Sequence, residues 1–182
     1  EFGGQAIAEA LVGDYNPGGR LAVTFPKSVG QIPFAFPFKP GSDESSETSV
    51  YGALYPFGHG LSYTTFQYSD LVISPSKQGV QGNISISCTI KNIGQREGDE
   101  VVQLYLRDEV SSVTTYTQVL RGFERITLKP EASHTVHFEL TPQELGIWDK
   151  QMNFTVEPGM FKVMIGSSSK DIRLKGEFEI AQ

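Results

Sequence analysis

The chain has 182 residues, a formal net charge of −6, 38% hydrophobic and 20% charged residues, 19 glycines and one cysteine. That composition belongs to a turn-rich globular chain, long enough to bury a real core as one large domain or as a complete domain with an extension. An acidic balance without a Lys/Arg cluster argues against nucleic acid, no apolar run reaches the about 18 residues of a membrane span, and Cys88 alone excludes an internal disulfide framework while leaving the redox compartment open.

The chain opens without a signal-peptide pattern, inside what reads as a structured segment, so a fragment is expected. QAIAEALVG, residues 5–13, puts Ile7, Ala8, Leu11 and Val12 at helical spacing with Gly13 as the stop. NPGGR turns the chain, and LAVTFP, residues 21–26, reads as a strand ended by proline. One helix and one strand cannot bury each other's apolar faces, which implies partners outside this chain.

QIPFAFPFKP, residues 31–40, mixes prolines with phenylalanines and has no period, so an extended segment lying on a surface is expected. GSDESSETS, residues 41–49, reads as a solvated loop rather than a substrate-edge or metal site, because Asp43, Glu44 and Glu47 sit on one stretch and metal ligands must converge from several elements.

After Phe66 the rhythm becomes two. Ile84, Ile86, Cys88 and Ile90 alternate with Asn83, Ser85, Ser87 and Thr89, predicting a half-buried strand with Cys88 facing inward as a small core residue. EVVQLYLRD places Val102, Leu104 and Leu106 on one face and Val101, Gln103 and Tyr105 on the other. RGFERITL, HTVHFEL, MFKVMIG and IRLKGEFEI continue the series, with Leu104 and Phe138 expected to point inward. Short alternating strands with turn signals between them predict a mainly β chain, a β-sandwich of about seven strands.

Chemistry is hard to find. GSS at residues 166–168 lacks the flanks of a nucleophile elbow and reads as a strand-end turn. His134 and His137 share one strand at a spacing unsuited to a common ligand, and His59 is isolated, so no metal site is expected. Glu97, Asp99, Glu100, Asp108 and Glu109 fall at strand ends, where charges solvate and guard edges rather than form a hydrolytic carboxylate pair. Asn83 and Asn153 open glycosylation sequons, relevant only in a eukaryotic secretory pathway.

The stretch LYPFGHGLSYTTF, together with GGQAIAEALVGDYNPGGRLAVTFPKSVGQIP, EVVQLYLRD, LRGFERITLKP and VEPGMFKVMIGSSSKDIRL, resembles the C-terminal end of glycoside hydrolase family 3, the β-glucosidase and β-xylosidase family, with the segments in the family's order. Phe154 stands where many members have Trp, and the acidic loop varies in length and composition. The resemblance implies that residues 1–31 are the end of an α/β sandwich domain, 32–65 an interdomain linker, and 66–182 an immunoglobulin-like, fibronectin type III-like domain. It implies that the nucleophile and the acid/base lie upstream, that no catalytic residue, metal or cofactor belongs to this chain, and that its partners are upstream domains of the same polypeptide. A β-glycoside or oligosaccharide would be the intact enzyme's substrate, in a periplasmic or extracellular setting.

Within YPFGHGLSYTTF, rings and glycines together suit a close seam between domains, so Tyr55, Phe57, Gly58, Gly60, Tyr63 and Phe66 are expected to form a structural clamp. The competing reading is a sugar-stacking platform. A free-standing carbohydrate-binding or adhesive module is the alternative for the whole chain, though such a module would have no use for the helix and strand of residues 1–26.

Overall fold

The computed structural model describes residues 2–32, 34–42 and 52–182. The acidic stretch carrying Asp43, Glu44 and Glu47 lies outside the described residues. In chain order the elements are helix α1 (Gly3–Val12), a single 3-10 turn (Val29–Gln31), strands β1 (Phe66–Ser74), β2 (Lys77–Gly79), β3 (Ile84–Asn92), β4 (Gly98–Asp108), β5 (Val119–Leu128) and β6 (Ser133–Leu140), helix α2 (Pro142–Leu145), then β7 (Ile147–Trp148), β8 (Phe154–Thr155), β9 (Gly159–Gly166) and β10 (Ile172–Ala181).

Two sheets face each other, one ordered β1-β3-β6 and the other β2-β10-β9-β4-β5, while β7 and β8 form a separate short hairpin. Every pairing is antiparallel except β2 with β10. Seven of the strands are long, in line with the number expected from the alternation. The inward set is the predicted one: Ile84, Ile86, Cys88 and Ile90 of β3 and Val102 and Leu104 of β4 have no solvent exposure. They meet Val136 and Leu140 of β6 and Phe161, Val163, Ile165, Phe178 and Ile180 of β9 and β10, with the Phe161 and Phe178 rings stacked 5.4 Å apart. Period-two side chains leave each sheet with one apolar face, and burying two such faces against each other is what holds a sandwich together. Phe138 packs at the edge of this core, only partly buried.

Helix α1 forms where its spacing predicts and stops at Gly13, whose φ of +84° is the left-handed cap that glycine accepts without strain. None of its residues is buried, and Ile7, Leu11 and Val12 are exposed. The strand expected over residues 21–26 does not form. Its backbone runs instead beside residues 54–59, with Leu21 N–H donating to His59 O, Gly58 N–H to Leu21 O and Phe25 N–H to Tyr55 O, and only the Phe25–Tyr55 pair closing as a bridge. Pro26 and Pro56 lack the N–H that a longer ladder requires, and Gly58 turns the partner segment at φ +81°.

Candidate functional site

The outer face of β4 is where the N-terminal segment meets the sandwich. An exposed sheet face would leave Gln103 and Tyr105 in water, yet Gln103 is 3% and Tyr105 0% exposed. Phe57 stacks on Phe36 with centroids 4.6 Å apart, and the Phe36 ring meets Tyr105 edge-on at 5.7 Å. Phe38 leans on Phe34 and Phe36, and its carbonyl accepts Thr117 N–H at 2.8 Å. Phe36 and Phe38 of the proline-rich stretch, together with Phe57, thus supply the rings that cover this face.

Beneath the rings lies a polar knot. Gln103 Nε2 donates to Gly58 O at 3.2 Å and Ser167 O at 2.6 Å, while its Oε1 accepts the Tyr105 hydroxyl. Ser169 N–H donates to Phe57 O, and Gln118 Nε2 to Ser169 O, which brings the 166–169 turn into the same joint. Gly58 is required twice: by its positive φ, and because a Cβ there would fall 2.1 Å from Gln103 Oε1.

A second anchor is ionic. Arg20 Nη2 sits 2.7 Å from Glu100 Oε1, with the two side chains only 9% and 4% exposed. Tyr68 lies beside them, its phenol held far above the ordinary range by burial and then by the Glu100 carboxylate. Gly60 makes room for this pair, since a Cβ would fall 2.3 Å from Gly19 O and 2.5 Å from Arg20 Nη1. Glu100 is therefore not the solvated strand-end acid expected from its position: it is 3% exposed with Arg20 paired to it, and a buried carboxylate survives by pairing.

A third group ties the linker's end. Asn16 Oδ1 accepts from Ser62 Oγ and Tyr63 N–H, and its Nδ2 donates to Glu97 O. Buried Asn92 donates to Arg96 O and Leu128 O and accepts from Thr64 Oγ1 and Gly94 N–H, which uses its whole hydrogen-bonding capacity. Tyr63 donates to Ala10 O at 2.7 Å under the Arg96 guanidinium, and Arg96 donates to Gly13 O, so helix α1 is tied to the β3–β4 turn.

Of the six residues singled out in the sequence, Phe57, Gly58 and Gly60 come together at the joint. Tyr55 stacks on His59 at 5.1 Å and stays 44% exposed, Tyr63 is 50% exposed, and Phe66 opens β1 inside the sandwich core. Sequence reasoning missed Arg20, Phe36, Glu100, Gln103 and Tyr105. The one legible signal was Gln103 and Tyr105 on the outward face of an otherwise apolar run, residues 101–106.

Among the described residues the cysteine and the serines of the 166–169 turn are occupied structurally. Burial, then the nearby Glu124 carboxylate, pushes the Cys88 thiol up to about 11, so it is a packed core thiol and not a nucleophile. Ser167 and Ser168 spend their hydroxyls on the turn, Ser167 donating to Asp171 and Ser168 accepting from Asp171 N–H. Among the described residues no three His, Cys, Asp or Glu side chains are grouped to hold a metal ion, and no helix is long and apolar enough to cross a membrane.

The glycosyl hydrolase family 3 C-terminal domain matches residues 1–63, and the fibronectin type III-like domain matches residues 100–169. The chain is 43% identical over 190 residues to a periplasmic β-glucosidase of Salmonella typhimurium, covering 98% of this chain and 25% of that protein. It is 43% identical over 176 residues to a β-xylosidase of Formosa agariphila, covering 94% and 24%. Among solved structures, a β-glucosidase of Erythrobacter marinus superposes with a TM-score of 0.91 at 38% identity, over 98% of this chain and 24% of that one. The chain thus spans about a quarter of the length of the curated relatives it matches. It belongs to glycoside hydrolase family 3 and corresponds to the C-terminal portion of that family's β-glucosidases and β-xylosidases.

Proposed function

We propose that this chain is the non-catalytic C-terminal portion of an exo-acting β-glycosidase, a β-glucosidase in preference to a β-xylosidase, working in the periplasm or outside the cell. In this reading residues 1–31 complete an α/β domain, residues 32–65 form the linker, and residues 66–182 form the fibronectin-like domain. Phe57, Gly58 and Gly60 clamp linker to sandwich, with Tyr55, Tyr63 and Phe66 at the clamp's margins. The observation that carries it is the layer of Phe36 and Phe57 over β4, which buries Gln103 and Tyr105 beneath residues outside the sandwich. The exposed Ile7, Leu11 and Val12 of α1 support it, since an apolar helix face of that kind is what an upstream domain would cover.

The test compares the purified 182-residue chain with the full-length protein on nitrophenyl β-glucoside and nitrophenyl β-xyloside. Retaining hydrolysis needs both a nucleophile and an acid/base, so turnover is expected only from the full-length protein, with the glucoside preferred. Turnover by the chain alone, in a preparation shown free of contaminating glycosidase, overturns this reading.

A further inference from the structure

We infer that the cleft between the 113–116 loop and the β7–β8 hairpin is a non-catalytic binding site for the end of a neutral, β-linked pyranose chain; the choice of sugar rests on the β-glycosidase reading above. The cleft has a volume of about 260 Å³ and is walled by Tyr116 and Trp148, which are 43% and 58% exposed. That volume is slightly under the ~300 Å³ at which pockets for larger organic ligands begin, so it suits one terminal sugar unit. Exposed rings at a concave site offer the flat apolar face that the C–H face of a pyranose covers.

Trp148 is held in place. Phe154 meets it edge-on at 5.5 Å, and Phe154 itself fills the space above Gly146, where a Cβ would lie 2.3 Å from the ring. The turn between the two rings is stitched by Asp149, whose Oδ1 accepts the N–H groups of Gln151 and Asn153. An aromatic side chain presented to solvent on a braced hairpin is preorganised for contact, which lowers the entropy cost of binding.

Arg121 lends the cleft its polar character. In the β4–β5 register Leu104 faces Gly122 and Tyr105 faces Leu120, so Arg121 is the extra residue of a bulge and has no cross-strand partner. Bulges redirect side chains and concentrate beside sites. Its guanidinium makes no hydrogen bond among the described residues and feels only the charge of Glu144, another residue of the cleft. Asp108 completes the set, with burial holding its carboxyl above the usual range. A planar donor fork near the Glu144 carboxylate, with the Asp108 carboxyl lining the same cleft, is suited to paired sugar hydroxyls, which both donate and accept. With both signs of charge present, the cleft favours a neutral sugar over an anionic one.

Trp148 is the only tryptophan in the chain, so its emission reports on the site directly. Cellobiose and xylobiose titrated into the 182-residue chain are expected to change that emission saturably, with Kd of about 1–10 mM, as befits a few contacts in a small site. Tyr116→Ala and Arg121→Ala are expected to weaken binding about tenfold or more, and Arg121→Lys, which keeps charge but loses the planar fork, by an intermediate factor. No saturable change up to about 100 mM, equal affinity in folded Tyr116→Ala and Arg121→Ala proteins, or a full-length structure with another domain filling the cleft overturns the inference. Hydrolysis of nitrophenyl β-glucoside by the full-length enzyme is a separate readout, so loss of the parent activity and loss of this site are distinguishable.

Discussion

Gly58→Ala is expected to undock the linker from β4 while leaving the sandwich folded. At φ +81° an Ala costs about 1–2 kcal/mol relative to Gly. Its Cβ would also fall 2.1 Å from Gln103 Oε1 and 2.9 Å from Cδ and Nε2, so the amide has to swing away. That swing breaks the bonds to Gly58 O and Ser167 O and strands the Tyr105 hydroxyl, all at a buried joint. Leaving two buried polar groups unpaired adds about 1–3 kcal/mol each, for a total of about 3–8 kcal/mol.

Native-state hydrogen exchange measures this locally. The amides of Ser169, bonded to Phe57 O, and Leu21, bonded to His59 O, are expected to exchange about a hundredfold faster or more, while the Ile86 amide in β3 keeps its protection. In a Gln103→Ala background the clash is gone, and the added cost of Gly58→Ala should shrink to the backbone strain, about 1–2 kcal/mol. Protection of Ser169 and Leu21 within about threefold of wild type, less than 1 kcal/mol, would show that the joint yields easily and that this reasoning about Gly58 is wrong. A uniform loss across β3 and β4 would show that linker and sandwich unfold as one unit.

Removing one partner of the Arg20–Glu100 pair leaves a charge at a site only 4% exposed, so Arg20→Met should cost about 3–5 kcal/mol in urea unfolding, and adding Glu100→Leu should recover most of it. Leu104→Ala, at a position without solvent exposure, should cost about 2–5 kcal/mol by the same assay, whereas the edge residue Phe138 should fall at or below the low end of the range for a buried ring. Asp108→Asn should stabilise the protein at pH 7. Because burial raises the folded pKa of Asp108, this group favours folding when protonated and loses that contribution as pH rises through the folded pKa; the gain from Asn should therefore fade below the unfolded value of about 4. Urea midpoints of the two proteins at pH 7 and pH 3.5 check this, and an equal gain at both would sink the burial argument.

The sandwich was legible because its signal is local. A strand with one buried face must alternate, and the 84–90 run does so with Cys88 in an apolar position, so its inward side is set without reference to any other element. The helix over Gly3–Val12 and its glycine stop were legible for the same reason. The joint on β4 was only half legible: the glycines and rings of YPFGHGLSYTTF pointed to close contact, but nothing near Glu100 in the chain reveals that Arg20, 80 residues away, pairs with it.

What the sequence by itself determined is therefore the pair of inward faces, the class of fold and the family, since each is carried by periodicity or by contiguous motifs. What only the tertiary structure decided is the state of the outer face. Whether Gln103, Tyr105 and Glu100 meet water depends on where Arg20, Phe36, Phe57 and Gly58 come to rest, and that depends on ring stacking and hydrogen bonds between segments far apart in the chain. The failed strand over residues 21–26 has the same cause: extended chain becomes a strand only when a neighbour offers a continuous ladder, and here the neighbour is a turning loop with Pro56 and a left-handed Gly58.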